Sequence, residues 1–164
     1  MTLLICVLLM FISTNECGTQ KQQFRHQNRG EAIVKEKTQK KPDILKEITY
    51  VAVSRGLYLS INIVNDSISF TNNSQVKSEA VYVIPQSEKE VLISLISDIN
   101  EKSLPHLEAP SKMHQFDGAA IATLELTSTN NSYKTVAFDH GNPPKPIKAV
   151  VEKMLSIKSM IEKQ

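Results

Sequence analysis

Residues 115–141 read QFDGAAIATLELTSTNNSYKTVAFDHG, and this stretch predicts the β-hairpin around which the rest of the fold is organised. In its first arm the even-numbered positions hold small or apolar residues and alternate with the odd-numbered positions, which predicts a half-buried strand. The two sets are Ala120, Ala122, Leu124 and Leu126, and Ile121, Thr123, Glu125 and Thr127. The second arm, residues 133–138, is also rich in β-forming residues.

The turn between the two arms is predicted at Asn130-Asn131, because asparagine tolerates the positive φ that a type I′ turn requires. A two-residue turn there places Thr129 opposite Ser132 and Asp139 opposite Ala122. It also predicts that the two Phe-Asp corners, at residues 116–117 and 138–139, lie near each other.

Four further β-like segments precede the hairpin, at residues 48–54, 57–64, 67–71 and 80–84. Turn residues separate them, at Ser54-Arg55-Gly56, Asn65-Asp66 and Asn72-Asn73-Ser74. Short sequential strands joined by tight turns predict an antiparallel meander.

Two segments carry apolar residues at helical spacing. Ser87 and Glu90 have the spacing of a capping box, which predicts the start of a helix whose apolar stripe includes Leu92 and Ile96. A second helix is predicted to open at Pro143-Pro144, because proline is tolerated in a first helical turn. The order β-β-β-β-α-β-β-α predicts an α+β fold, with an antiparallel sheet of about six strands and two helices packed on one face.

Near the start of the chain, residues 3–12 form an apolar run with the length of a signal-peptide core, too short to span a bilayer comfortably. The sequence Cys17-Gly18-Thr19-Gln20-Lys21 follows this run. The arrangement resembles the lipid-modified start of small uncharacterised envelope lipoproteins of the Bacteroidota, and the SRG turn, the FDGAA strand and the FDHG-PP corner extend the resemblance.

This resemblance implies that residues 1–17 are a leader and that Cys17 is acylated and becomes the mature N-terminus. The protein would then be lipid-anchored to a bacterial membrane in the cell envelope, with the membrane as one partner. The alternatives are an uncleaved anchor or an ordinary secretory peptide, which would give a secreted or periplasmic soluble protein.

Charge divides the remaining chain into a basic tether and a nearly neutral domain. Residues 18–42 hold seven Lys and Arg against two Glu, a net charge of +5, whereas residues 43–164 hold 12 against 14, a net charge of −2. A basic tether suits a surface of anionic lipids, although a solvated linker without a partner fits equally well. The basic residues lack aromatic interleaving and a recognisable binding module, so no nucleic-acid partner is expected.

Catalytic signatures are absent from the sequence. Both cysteines, Cys6 and Cys17, lie in the leader, so the predicted domain has no disulfide, cysteine nucleophile or thiolate metal site. No nucleophile elbow, P-loop or dinucleotide fingerprint occurs either. We therefore predict no catalytic residue. We also predict no cofactor, with a divalent metal as the one alternative left open.

The candidate ligand or metal residues are Asp117, Asp139, His140 and His114, with His106 nearby in sequence. Carboxylate and imidazole groups bind divalent ions and also transfer protons. In the alternative interpretation the two aspartates are structural corners that accept local backbone N–H groups, while Gly118 and Gly141 adopt the left-handed conformation.

Two functional hypotheses follow. In the first, the protein is a non-enzymatic envelope lipoprotein whose sheet or proline-containing 104–118 loop binds an envelope protein partner. In the second, the domain binds a small ligand or a metal at the two Phe-Asp corners, with hydrolysis as one conceivable activity.

Overall fold

A computed structural model of the chain describes residues 43–76 and 79–164. The predicted leader, Cys17 and the basic tether lie outside these residues. The described part contains seven strands and two α-helices, in the order β1 Leu45–Val53, β2 Tyr58–Val64, β3 Ser67–Thr71, β4 Val81–Val83, α1 Gln86–Ser97, β5 Ile121–Ser128, β6 Ser132–Lys134, β7 Phe138–Asp139 and α2 Lys148–Ile161.

The strands form one sheet in the order β4-β3-β2-β1-β5-β6, and β7 pairs with the start of β5. Every pairing is antiparallel, as the meander pattern predicts. β1 lies at the centre, between β2 and β5, so the chain leaves the meander, forms α1 and returns to the opposite side of its first strand.

The two faces of the sheet differ in burial, with the period of two expected for strands. The buried face carries residues such as Tyr50, Ile61 and Leu124, which are inaccessible to solvent. These side chains form one apolar cluster with residues of both helices, including Leu92 of α1 and Met154 of α2. Both helices therefore cover the same face, and the predicted α+β architecture is confirmed.

The opposite face of the sheet is polar and open to solvent to varying degrees. Thr49, Ser60, Asn62 and Ser69 lie there on three neighbouring strands, and each is partly exposed. None of the helices in residues 43–76 and 79–164 is long and apolar enough to cross a membrane.

The start of α1 differs from the predicted capping box. Pro85 occupies the N-cap position and no side chain caps the helix. The carbonyl of Pro85 accepts the backbone N–H groups of Glu88 and Lys89, each at 3.0 Å, so the helix begins before Ser87 can act as a cap. The side chain of Glu90, the second residue of the predicted box, instead accepts a hydrogen bond from Gln86 Nε2 at 2.9 Å.

The second helix begins after a short 3₁₀ turn. Pro144 precedes the turn Lys145–Ile147, and α2 continues from Lys148. Its buried residues recur at helical spacing, from Val150 to Ile161. The apolar stripe predicted for this helix is therefore confirmed, whereas Pro143-Pro144 lie ahead of the 3₁₀ turn and not in the first turn of α2.

The hairpin has a different register from the predicted one. Thr127, not Thr129, faces Ser132, and Asp139 pairs with Ile121 rather than with Ala122. The N–H of Ser128 donates to the carbonyl of Asn131 across the hairpin at 2.8 Å, which leaves Thr129 and Asn130 at the tip, so the turn predicted at Asn130-Asn131 is wrong by one position.

Contacts with the beginning of the described chain explain this turn. The N–H of Thr129 donates to the carbonyl of Ile44 at 2.9 Å, and that of Asn130 donates to Asp43 Oδ1 at 3.0 Å. These groups pair alongside β1 and not across the hairpin. The predicted second arm is also split between β6 and β7 at residues 135–137, where the Thr135 hydroxyl accepts the Leu124 N–H at 3.0 Å.

Candidate functional site

A cluster of polar side chains forms where β7 meets the long connection between α1 and β5. This connection contains two 3₁₀ turns, Glu101–His106 and Met113–Phe116. β7 pairs with the first residues of β5, so Asp139 is held at the end of the sheet. Its side chain points towards the Met113–Phe116 turn, and only 3% of the residue is exposed.

The carboxylate of Asp139 accepts four hydrogen bonds from the connection. The backbone N–H of Met113 donates to Oδ2 at 2.9 Å, and that of His114 donates to Oδ1 at 2.8 Å. The hydroxyl of Ser111 also donates to Oδ2, and His114 Nδ1 lies 2.5 Å from Oδ1. Asn142 adds a further link by donating to the Ser111 hydroxyl at 2.8 Å.

These hydrogen bonds determine the charge state of Asp139. Burial by itself raises the pKa of a carboxyl group, because it disfavours the charged form. The hydrogen bonds from Ser111, His114 and Met113 outweigh this effect and hold the pKa of Asp139 far below the usual aspartate value. Asp139 is therefore a carboxylate throughout the physiological pH range.

His140 has a separate partner on the central strand. The hydroxyl of Tyr50 lies 2.7 Å from His140 Nδ1, and the Tyr50 side chain is fully buried. Burial raises the pKa of Tyr50 far above its usual value and lowers the pKa of His140. The phenol therefore keeps its proton and the imidazole is neutral, and a hydrogen bond from the hydroxyl to Nδ1 fits these two charge states.

Asp117 does not share in this hydrogen-bond network. Its partner in the described residues is Arg55, at 3.8 Å, and both side chains are largely exposed. Such a surface ion pair contributes little to stability. The Phe-Asp corners thus differ in role: Asp139 is buried and bonded, whereas Asp117 is on the surface.

The backbone at the two corners also differs from the glycine-based prediction. Gly141 has a φ of +86°, as expected for a left-handed corner. At the first corner Asp117, with a φ of 56°, takes the left-handed conformation, and Gly118 does not. Gly118 packs closely against Met113 instead: a Cβ there would lie 2.9 Å from the movable Met113 Cε and 3.3 Å from the Met113 carbonyl oxygen.

Metal binding finds limited support in this arrangement. Within residues 43–76 and 79–164 no three His, Cys, Asp or Glu side chains are grouped so as to hold a metal ion. Both oxygens of Asp139 already accept protein hydrogen bonds, and His114 contacts the same carboxylate through Nδ1. His106 lies exposed at the end of the first 3₁₀ turn.

A cavity of about 590 Å³ is lined in part by His114. Leu107, Glu108, Lys112 and Val136 are among its lining residues. An aspartate that holds a histidine through Nδ1 is the arrangement that orients a general base. No serine, threonine or cysteine lines this cavity among the described residues, so the base would have to act on water or on a substrate group.

The same network presents apolar side chains to solvent. Met113 and Phe116 belong to the turn that Asp139 fixes, and Phe116 is 79% exposed. Phe116 directly precedes Asp117, the acidic member of the exposed Arg55–Asp117 ion pair. The network thus holds an exposed aromatic ring on a hydrogen-bonded turn.

Sequence reasoning identified Asp139, His114 and His140, but it missed their partners Ser111, Asn142 and Tyr50. Tyr50 and His140 are 90 positions apart, and Ser111 and Asp139 are 28 apart. No local pattern marks such pairs. The long 104–118 loop was the one sequence feature that pointed to this region, and it contains Ser111, one of the missed partners.

Comparison with known proteins found no protein-family model and no curated protein that matches this chain.

Proposed function

We propose that this chain is a lipid-anchored envelope lipoprotein whose folded domain acts as a non-enzymatic protein-interaction module. The observation that carries the proposal is the exposure of Phe116, at 79%, on a turn that the buried Asp139 holds in place. The 104–118 loop is the predicted recognition segment, and Phe116 is its most exposed aromatic side chain among the described residues.

Two physical arguments support an interaction role for this turn. Large aromatic side chains supply much of the energy of protein interfaces when they enter a pocket on a partner. The hydrogen bonds to Asp139 also fix the turn before any partner arrives, which reduces the entropy that binding would cost. Arg55 and Asp117, both exposed, would form the charged rim of such an interface.

The envelope location rests on the first 42 residues of the sequence. The apolar run, Cys17 and the tether of net charge +5 support attachment to an anionic membrane surface. The test is to express the full chain with Cys17→Ser and to measure membrane retention after fractionation. Loss of retention is expected, and unchanged retention would contradict lipid anchoring through Cys17.

The interaction role is tested by affinity capture from membranes with the full tethered chain and two matched variants. Phe116→Ser and Val83→Ser each remove an exposed apolar side chain, 79% and 74% exposed respectively. Val83 lies on edge strand β4, away from the 104–118 loop. A protein captured by the wild type and by Val83→Ser, but lost with Phe116→Ser, is the expected result. Equal capture by all three forms would contradict the proposal.

A second candidate function is hydrolysis by the Asp139–His114 pair, which the 2.5 Å contact and the adjoining cavity favour. In this case Asp139 orients the imidazole, and His114 activates a water molecule in the cavity. A panel of ester substrates, assayed with the wild type and His114→Gln, distinguishes the two functions. Turnover that disappears in a folded His114→Gln variant would favour hydrolysis over a purely structural role.

Metal binding at the same cluster has its own measurement, which is thermal unfolding with and without divalent ions. Binding to the folded state alone stabilises it by RT ln(1 + [L]/Kd), about 2.7 kcal/mol at a hundredfold excess over Kd. A stabilisation lost in His114→Gln would support a metal site. An unchanged midpoint would leave Asp139 with a structural role only.

A further inference from the structure

A second concave surface lies far from the Asp139 cluster in the topology, between α1 and the end of the sheet where β1 begins and β2 ends. The groove has a volume of about 370 Å³. Buried isoleucines of the sheet and the inner side of α1 form its floor, at Ile48, Ile63, Ile84, Leu92 and Ile96. None of the residues that bond to Asp139 lines this groove.

Apolar side chains continue from the floor to the mouth of the groove. Ile44, just before β1, and Ile93, on α1, both line it and are each more than half exposed. Single exposed isoleucines are ordinary on a protein surface. Here, however, they border the buried apolar residues of the floor, so the lining of the groove is apolar from its mouth to its floor.

The charged groups at the groove favour an anion. Lys46 and Lys89 line it, and neither belongs to an ion pair in the described residues. Glu47 is the acidic residue at this border. It also borders the polar pocket on the open face, beside Thr49, Ser60 and Asn62.

We propose that this groove binds one fatty-acid anion, with the acyl chain on the isoleucine and leucine floor and the carboxylate beside Lys89 and Lys46. Small-ligand sites have volumes of roughly 300–1,000 Å³ and combine an apolar lining with a few polar groups that orient the ligand. The groove has both properties. This function is independent of the proposed protein-interaction role, because it uses a different surface.

The test uses the full 164-residue chain with Cys17→Ser, so that no attached lipid competes. A fluorescent fatty acid is titrated and then displaced by dodecanoate below its micelle concentration. One saturable site is expected. Affinity should rise about fourfold for each methylene added from octanoate until the groove is full, because each buried methylene contributes a fixed hydrophobic increment. Failure of dodecanoate to displace the probe would overturn the proposal.

The location is tested by a matched pair of variants on α1. Ile93→Asp places a charge in the groove, whereas Val91→Asp changes a residue of similar exposure, 46% against 53%, that does not line it. Ile93→Asp should weaken dodecanoate binding about tenfold or more, and Val91→Asp should change it by no more than about twofold. Equal weakening by both variants would contradict binding in the groove. If Ile93→Asp fails to fold, Ile44→Asp tests the opposite side of the mouth.

The carboxylate contact is tested with Lys89→Met and with methyl dodecanoate as an uncharged ligand. Lys89→Met should weaken binding of dodecanoate and leave binding of the ester unchanged, because the ester carries no charge for the ammonium group to pair with. If the ester binds the wild type as tightly as the anion, the groove is a general apolar site and the fatty-acid assignment is wrong.

Discussion

His114 Nδ1 lies 2.5 Å from Oδ1 of Asp139, although the two residues are 25 positions apart in the chain. Their side chains are 8% and 4% exposed, so the contact is made away from solvent. Through this contact and three other hydrogen bonds, a single carboxylate attaches the Met113–Phe116 turn to the end of the sheet. The exposed position of Phe116 depends on that attachment.

Asp139→Asn should destabilise the protein strongly. The asparagine amide nitrogen cannot accept the hydrogen bonds from Ser111 and Met113, which leaves buried donors unpaired. Ser111→Ala removes one of these donors and should cause a smaller loss. Asp117→Asn is the control, because that side chain is exposed, and it should change the free energy of unfolding by less than about 0.5 kcal/mol. Urea unfolding of the three variants provides the measurement. Equal midpoints for Asp139→Asn and wild type would show that the Asp139 hydrogen bonds do not stabilise the fold.

Stability should fall in acid because of the same carboxylate. The pKa of Asp139 is lowered in the folded state, so the folded state binds fewer protons than the unfolded state at acid pH. This contribution is complete above the unfolded value of about 3.9 and is lost as the pH falls below it towards the folded value. Thermal midpoints measured from pH 6 to pH 2.5 should therefore fall more steeply for the wild type than for Asp139→Asn. Parallel curves would mean that Asp139 is not the group responsible.

A second pH effect is expected from His140, at higher pH. Burial lowers the pKa of His140 in the folded state, so protonation favours the unfolded chain. Its contribution to stability is present above the unfolded value of about 6.5 and decreases as the pH falls below it. His140→Asn should show less loss of stability than the wild type between about pH 7.5 and 5.5. A steeper loss in the variant would contradict a neutral, partly buried His140.

The Tyr50 hydroxyl provides an independent check on that pair. Tyr50→Phe keeps the buried ring beside Phe138 but removes the donor to His140 Nδ1. We expect a loss of about 1–2 kcal/mol in the free energy of unfolding, the typical cost of leaving a partly buried acceptor without its donor. Chemical denaturation measures this loss, and a variant as stable as the wild type would show that water replaces the phenol.

The corner after Asp139 should require glycine. Gly141 has a φ of +86°, and a Cβ there would meet no other atom within 4 Å, so any cost of Gly141→Ala comes from backbone strain alone. We expect about 1 kcal/mol of destabilisation. Gly56→Ala is the matched control, because Gly56 has equally open surroundings without a positive φ in the left-handed range. Equal effects of the two substitutions on the unfolding midpoint would rule out conformational strain at Gly141.

Local patterns in the sequence were sufficient for strands β1, β2, β3 and β5 and for the apolar stripe of α2. Alternation at residues 57–64 and 120–127 correctly identified the buried face, with Leu59, Ile61 and Leu124 inside. The turn at Asn65 was also correct, and its φ is 57°. These features depend on side-chain periodicity and on the conformational range of single residues, which neighbouring positions in the chain already specify.

The hairpin register and the partners of Asp139 were decided only by tertiary structure. Asp43 and Ile44 bind the groups of the 128–131 turn. Asp139 takes its donors from residues 25 to 28 positions away. The sequence by itself therefore determined which residues are buried and which could carry chemistry. Folding decided which of them meet, because hydrogen-bond partners between distant segments depend on how the helices and the long connection pack against the sheet.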